Sequence, residues 1–275
     1  MKILIAADME GITGVTNWEQ VDPNHSEYPR FRRLMTGDVN AAIRGVCEAG
    51  ADQVLVTDGH DRGTNILLEE LDKRARLICG DFSPLAMIQG VDQDVDGVIF
   101  VGYHARAGSQ NGILDHTWSS RRVANLWLND LLVGEYGLNG AVAGHFNVPV
   151  LMLSGDQTAC AQASELLGNI ETVVVKTAIS RMAAECLPPN ITEALIQKSA
   201  SKAVRRLKAG EAPRPFRVDT PVRVTIDFNT SEQADQAVLY PGSKRMDGRR
   251  ITFTSDDMLA AYLGFQAAMA MAQSG

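Results

Sequence analysis

Short apolar runs and amphipathic stretches alternate through the first half of the chain. Ile3-Leu4-Ile5-Ala6-Ala7 is a continuous apolar run of strand length, so residues 2–7 predict a buried strand. In MTGDVNAAIRGVCEAG (35–50), Val39, Ile43, Val46 and Cys47 recur at helical spacing. Thr36 is placed to cap that helix and Gly50 to end it. The alternation continues with a strand at 53–60, a short helix at 64–71, a strand at 75–79, a helix at 83–91 and a strand at 97–104. Strands that are apolar on both faces and separated by helices predict an α/β fold with a mostly parallel central sheet and helices on both faces.

Beyond 104 the pattern changes. VANLWLNDLLVGEYG (123–137) has period-2 apolar positions around Asn129-Asp130 and predicts a hairpin. A helix is expected at 138–146, a strand at 149–156, a helix at 158–168, a strand at 171–177 and a long amphipathic helix at 191–210. EAPRPFRVDTP (211–221) then carries three of the ten prolines and reads as a linker. The expected organisation is a catalytic α/β domain over 1–210 and a smaller α+β unit over 211–275. That unit would hold strands at 221–229 and 250–255 and helices at 231–240 and 256–273.

Composition narrows the function. With 45% hydrophobic and 21% charged residues the chain reads as a globular protein with a sizeable core. A net charge of -7 and a pI near 5.3 argue against nucleic acid and against an anionic membrane as partners. The start MKILIAADME has five apolar residues before an acid, so no secretory signal is expected, and no apolar run is long enough to span a bilayer. Four scattered cysteines without CxxC spacing point to reduced thiols and a cytoplasmic location.

The candidate chemistry lies where the apolar runs stop. The first strand ends on Asp8 and Glu10, the second on Asp58 and His60, the fourth on His104. In an open parallel sheet the carboxyl ends of neighbouring strands face one crevice, so these side chains are expected to meet. Asp8 and Glu10, two apart, point the same way if the chain stays extended, and Gly11 and Gly14 then turn it away. Mixed Asp, Glu and His donors suit Zn²⁺ well and Mn²⁺ or Co²⁺ less well. Taken singly, an acid after a strand is ordinary loop polarity and a lone histidine is ordinarily a hydrogen-bonded structural residue; the metal reading rests on their shared position. Several ionised carboxylates at one edge repel unless a cation lies among them. After His104, a glycine-bearing loop over 105–114 is expected to be mobile and to carry Asp115-His116 toward the crevice, where a histidine can move a proton or stabilise an oxyanion. His145 reads as helix packing, His25 as a loop residue, and Glu135 is ambiguous by itself.

Taken together, DMEGITG (8–14), VTDGH (56–60), GYHARAG (102–108), DHTWS (115–119), NDLLVGEYGLNG (129–140) and PVLMLSGD (149–156) resemble the D-aminopeptidase family of dinuclear zinc peptidases associated with dipeptide-transport operons. The resemblance extends through VKTAISR (175–181) and DDMLAAY (256–262). It implies two zinc ions per subunit held by Asp8, Glu10, His60, His104 and Glu135, with Asp8 bridging and His116 as the catalytic histidine. It also implies hydrolysis of the N-terminal residue of short peptides, D-amino-acid dipeptides or amides among them, and a homodecamer of two pentameric rings. Two rival readings remain at this level: a divalent-metal phosphohydrolase with Asp8 as nucleophile, and a non-catalytic peptide-binding ring.

Overall fold

The computed structural model describes residues 1–272. In chain order it runs β1 (Lys2–Ala7), α1 (Tyr28–Glu48), β2 (Gln53–Asp58), β3 (Ala75–Ile78), β4 (Gly97–Val101), β5 (Val123–Leu128), β6 (Leu131–Leu132), α2 (Glu135–His145), β7 (Val150–Asp156), α3 (Gln157–Leu167), β8 (Glu171–Ser180), β9 (Ala183–Cys186), α4 (Pro189–Lys208), β10 (Val222–Phe228), α5 (Ser231–Ala237), β11 (Lys244–Arg245), β12 (Arg250–Ser255) and α6 (Met258–Met271). Seven strands form one sheet in the order β3-β2-β1-β4-β7-β8-β9. All neighbours pair in parallel except β8 and β9. The order reverses between β1 and β4, which opens a crevice at the carboxyl ends of those two strands.

Alternate residues of β1 enter two cores. Ile3 and Ile5 pack with Val39 and Ile43 of α1 and with Ile196 and Val204 of α4. Leu4 and Ala6 face Met87, Phe100 and, beyond them, α2, α6 and the second sheet. Burial on both faces is why the strand reads as an unbroken apolar run.

Several expectations change. Helix α1 starts at Tyr28, with Pro29 in its first turn, so Phe31 and Met35 extend its buried face. Thr36 therefore caps nothing; its hydroxyl donates to the Arg32 carbonyl inside the helix. Segments 64–71 and 83–91 form only the short 3₁₀ turns Leu68–Glu70 and Ala86–Ile88. In the first, the Asp58 carboxylate accepts the N–H groups of Asn65 and Ile66 and holds the chain off a helical path. In the second, Ala86 adopts a φ of 44°. The hairpin closes through Asn129, at φ 55°, but it ends at Leu132, and α2 begins at Glu135.

A second, antiparallel sheet has the order β11-β12-β10-β5-β6. Segment 211–275 supplies three of its strands, while the hairpin β5–β6 comes from within 1–210. The expected boundary at 210 thus runs through one continuous sheet. No helix among the described residues is long and apolar enough to cross a membrane.

The turn after β1 depends on a close approach. Gly11 N–H donates to the Gly102 carbonyl at 2.7 Å, and a Cβ on Gly11 would collide with the Tyr103 and Gly102 carbonyls. Gly11→Ala is expected to destabilise the protein by at least about 2 kcal/mol, because backbone on both sides must shift. Urea unfolding of the two proteins measures this, and an unchanged midpoint would refute the packing argument.

Candidate metal centre

Regular strand geometry ends at Ala7, although Asp8 N–H still donates to Val101 O at 2.9 Å. Asp8 and Glu10 are therefore not successive outward residues of an extended strand. Both carboxylates nevertheless reach one cluster, and they are buried rather than open to the crevice, at 2% exposure each. His60 enters from the end of β2 and His104 from the end of β4. His116 comes from the following loop, and Glu135 from the first turn of α2. Asp8, Glu10, His60, His104, His116 and Glu135 thus lie together, whereas Asp58, expected at the same edge, does not join them.

The contacts divide the cluster into two sides joined by Asp8. On one side His60 Nδ1 lies 3.4 Å from Asp8 Oδ1 and 3.1 Å from Glu10 Oε2. On the other, His104 Nε2 lies 3.3 Å from Asp8 Oδ2 and 3.2 Å from Glu135 Oε1. His116 Nε2 stands at the rim, 3.6 Å from Glu135 Oε1 and 3.8 Å from Glu10 Oε1. The His104 and His116 rings stack at 3.9 Å, and Trp18 meets His116 edge-on at 5.5 Å.

Each imidazole turns its other nitrogen to a backbone carbonyl: His60 Nε2 to Val21 O at 2.9 Å, His104 Nδ1 to Ala105 O at 3.0 Å, and His116 Nδ1 to Leu114 O at 2.8 Å. A carbonyl only accepts, so those nitrogens carry the ring protons. In the neutral rings the inward nitrogens are then lone pairs aimed at carboxylate oxygens. Such a contact repels unless a proton or a cation sits between, and this second hydrogen bond is the usual way a metal-ligating histidine is oriented. Burial disfavours charge on His60 and His104, but the Glu10, Glu135 and Asp8 carboxylates outweigh it and hold both rings well above the ordinary histidine range. For Asp8, burial also works against ionisation, yet the adjoining His104 and His60 rings hold it well below the carboxylate range.

These shifts describe a site in which protons stand where a stronger cation can bind. Asp8 Oδ2, Glu10 Oε2 and His104 Nε2 are buried with no hydrogen-bond partner. Two groups, Asp8 with Glu10 and His104, and His104 with His116 and Glu135, bring ligand atoms within 4.8 Å of one another. Orphaned oxygens beside imidazole lone pairs fit a borderline divalent ion well.

The surroundings hold this geometry in ways the sequence did not disclose. Lys176 Nζ, buried, donates to the carbonyls of Glu10, Ile12 and Val15 at 2.6, 2.8 and 2.7 Å, and burial lowers its pKa to about 8. Asp38, which burial raises to about 7, accepts from Thr13 N–H and hydroxyl. Asp156 caps α3 through Thr158 and Ala159 N–H and also accepts Ile113 N–H at 2.8 Å. The 105–114 loop, expected to be mobile, is tied down: Asp115 accepts from Gly108 N–H and from Arg181 Nε at 2.7 Å each. Trp118 N–H donates to Glu135 Oε1 at 2.6 Å. Asp58, read as a strand-end candidate, spends its carboxylate on Asn65 and Ile66 and stays outside the cluster. His145 packs on Phe146 at the end of α2, and His25 lies 3.6 Å from Glu19 in a surface loop.

The sequence profile of the peptidase M55 family, described as D-aminopeptidase, matches residues 1–267. The chain belongs to this family. A D-aminopeptidase of Bacillus subtilis (strain 168) is 38% identical over 263 residues, covering 95% of this chain and 94% of the relative. A solved structure of DppA from Bacillus subtilis, described as a Zn-dependent D-aminopeptidase and a self-compartmentalizing protease, superposes with a TM-score of 0.94 at 36% identity, over 99% of this chain and 98% of that one. Family membership thus extends through both sheets, including the antiparallel sheet that joins strands from the middle of the sequence to strands near its end.

An ion that binds only the folded cluster must stabilise the chain by mass action. Chelator-stripped protein is expected to melt higher as Zn²⁺ is added, gaining about 2.7 kcal/mol at a hundredfold excess over Kd. Scanning calorimetry at stepped zinc concentrations checks this, and a melting temperature indifferent to zinc would argue against a metal site.

Proposed function

We propose that the chain is a dinuclear zinc aminopeptidase that releases the N-terminal residue of short peptides, those built from D-amino acids among them. The observation that carries the reading is the convergence of three buried carboxylates on three imidazole nitrogens whose partner nitrogens are all committed to backbone carbonyls. Asp8 is proposed to bridge, with Glu10 and His60 on one side and His104 and Glu135 on the other. The family and the zinc dependence of the DppA relative support the choice of metal.

Bound zinc supplies Lewis acidity, polarising a carbonyl and making water acidic enough to yield hydroxide near pH 7. The cluster carboxylates also offer a counter-charge to the free amino end of a peptide, which favours cutting at the first residue. His116 sits at the rim with Nδ1–H fixed on Leu114 O, so Nε2 is the atom free to act. As a neutral ring it accepts a proton from the attacking water and returns it to the leaving amine. Trp18 and the stacked His104 ring hold that imidazole in place.

A phosphohydrolase fits less well. Asp8 would have to be the nucleophile, and both of its oxygens face imidazole nitrogens, those of His60 and His104. Assembly into a decamer of two pentameric rings is proposed from the resemblance and from the self-compartmentalizing DppA relative. Exposed Ile179, Met182, Leu187, Ile191 and Leu195, on the β8–β9 hairpin and the first turns of α4, give apolar surface suited to self-association. A cytoplasmic location accords with four unpaired cysteines.

A panel of L,L and D,D dipeptides and amino-acid amides, assayed zinc-loaded and chelated, tests the activity; phosphate release from simple esters without peptide cleavage would overturn it. His116→Ala is expected to lower kcat by about 10²–10⁴ while the protein keeps two zinc ions per chain. Loss of zinc in that variant would make His116 a ligand instead. Asp8→Ala should lose metal and activity together. Light scattering is expected to give the mass of ten chains, and a monomer mass would contradict the ring.

A further inference from the structure

Lys176 is a buried cation that none of these steps uses. We propose that it is a positioning residue for the Glu10–His60 side of the centre and sets the zinc affinity of that side. The proposal rests on the dinuclear zinc reading.

All three ammonium protons are directed at carbonyls of the turn after β1: Glu10, Ile12 and Val15. No carboxylate lies within ion-pair distance of Nζ among the described residues, so the ammonium is satisfied by peptide dipoles; the facing charges are those of Asp156, Asp38 and Glu10, with the Cys186 thiol nearby. The turn has no regular ladder of its own. Ile12 O also accepts from Val15 N–H at 3.2 Å, whereas the Glu10 and Val15 carbonyls have Lys176 as their hydrogen-bond partner. A buried carbonyl stripped of its partner is costly, so without the ammonium this backbone must move.

Movement there falls on one side of the cluster. The Glu10 peptide is fixed by Lys176 on its carbonyl and by the next residue, whose N–H donates to Gly102 O. His104 and Glu135 are held by other means, at the end of β4 and at the start of α2, with Trp118 N–H on the Glu135 carboxylate. The two sides share Asp8, whose two oxygens face His60 and His104 separately. Loss of Lys176 should therefore weaken one zinc position much more than the other.

Lys176→Met removes the donors and the charge but keeps an unbranched chain. Zinc per chain, measured after gel filtration, is expected to fall from two toward one, and chelator competition should show the weaker ion bound at least about tenfold less tightly. Lys176→Gln, whose shorter side chain carries no charge and only two N–H donors for three carbonyls, is held to the same outcome if the methionine variant does not fold. Val204→Ala, a core truncation in α4, supplies a destabilised control that should keep two zinc ions. Rescue completes the test in a chain whose Cys47, Cys79, Cys160 and Cys186 are replaced by alanine or serine and which still binds two zinc ions: Lys176→Cys in that background, aminoethylated while unfolded and then refolded, should regain the second ion. A Lys176→Met protein that keeps two zinc ions at wild-type affinity, or loses both in parallel, would overturn the proposal. A wild-type chain that binds no zinc at any concentration would overturn the zinc reading and this proposal with it, and that result is read on the wild type alone.

Discussion

Three carboxylates and three imidazole nitrogens share a pocket in which Asp8, Glu10, His104 and Glu135 are almost wholly buried, and that electrostatic demand governs the rest of the molecule. Burial strengthens every interaction among these groups and makes each unpaired one costly. Because the ring protons point outward to carbonyls, the inward contacts are attractive only when a proton or a metal stands in them. The cluster is complementary to a cation, and its composition follows from that one requirement.

The scaffold meets the demand with backbone rather than with counter-charges. Lys176 clamps three carbonyls, Asp38 takes the Thr13 N–H, and Asp156 takes an N–H from the loop that carries His116. Gly11 lets the first loop lie against the end of β4 where a side chain would not fit. Ion pairs with lysine or arginine at the carboxylates would have competed with the metal. Fixing the main chain leaves the side-chain oxygens available.

Exposure is graded across the cluster. His104 lies at the floor with 1% of its surface exposed, whereas His116 at the rim shows 8%. The rim is also where Trp18 packs, with the Arg181 guanidinium over its ring at 5.6 Å and paired to Asp115. The proposed proton carrier His116 thus lies at the rim, with the proposed ligands beneath it. The second sheet and α6 back this arrangement from the side of α2, so the Glu135 position depends on chain segments more than a hundred residues away.

Much of this was legible in the sequence because parallel strands announce themselves. β1, β2 and β4 are apolar on both faces, and the polar residues that end them had to collect at one edge. Asp8, Glu10, His60 and His104 were readable from that alone, as was Asp58, which packing sent elsewhere, while Glu135 and the proposed role of His116 rested on resemblance. The segment at 64–71 misled because helical spacing cannot reveal a carboxylate elsewhere that captures the N–H groups, and that at 83–91 because it cannot reveal the positive φ of Ala86. Lys176 was hidden for a geometric reason: strand alternation with Val173 and Val175 buried predicts residue 176 outside, but the register of β7 and β8 shifts at Asp156 and turns it inward. The shared antiparallel sheet was equally hidden, since a proline-rich stretch marks a change in local chain path and says nothing of which distant strands will pair. Local periodicity thus determined the parallel strands and the chemistry at their ends. Which polar groups joined the cluster and which became clamps was decided only by packing, because that depends on where each backbone hydrogen bond finds its partner.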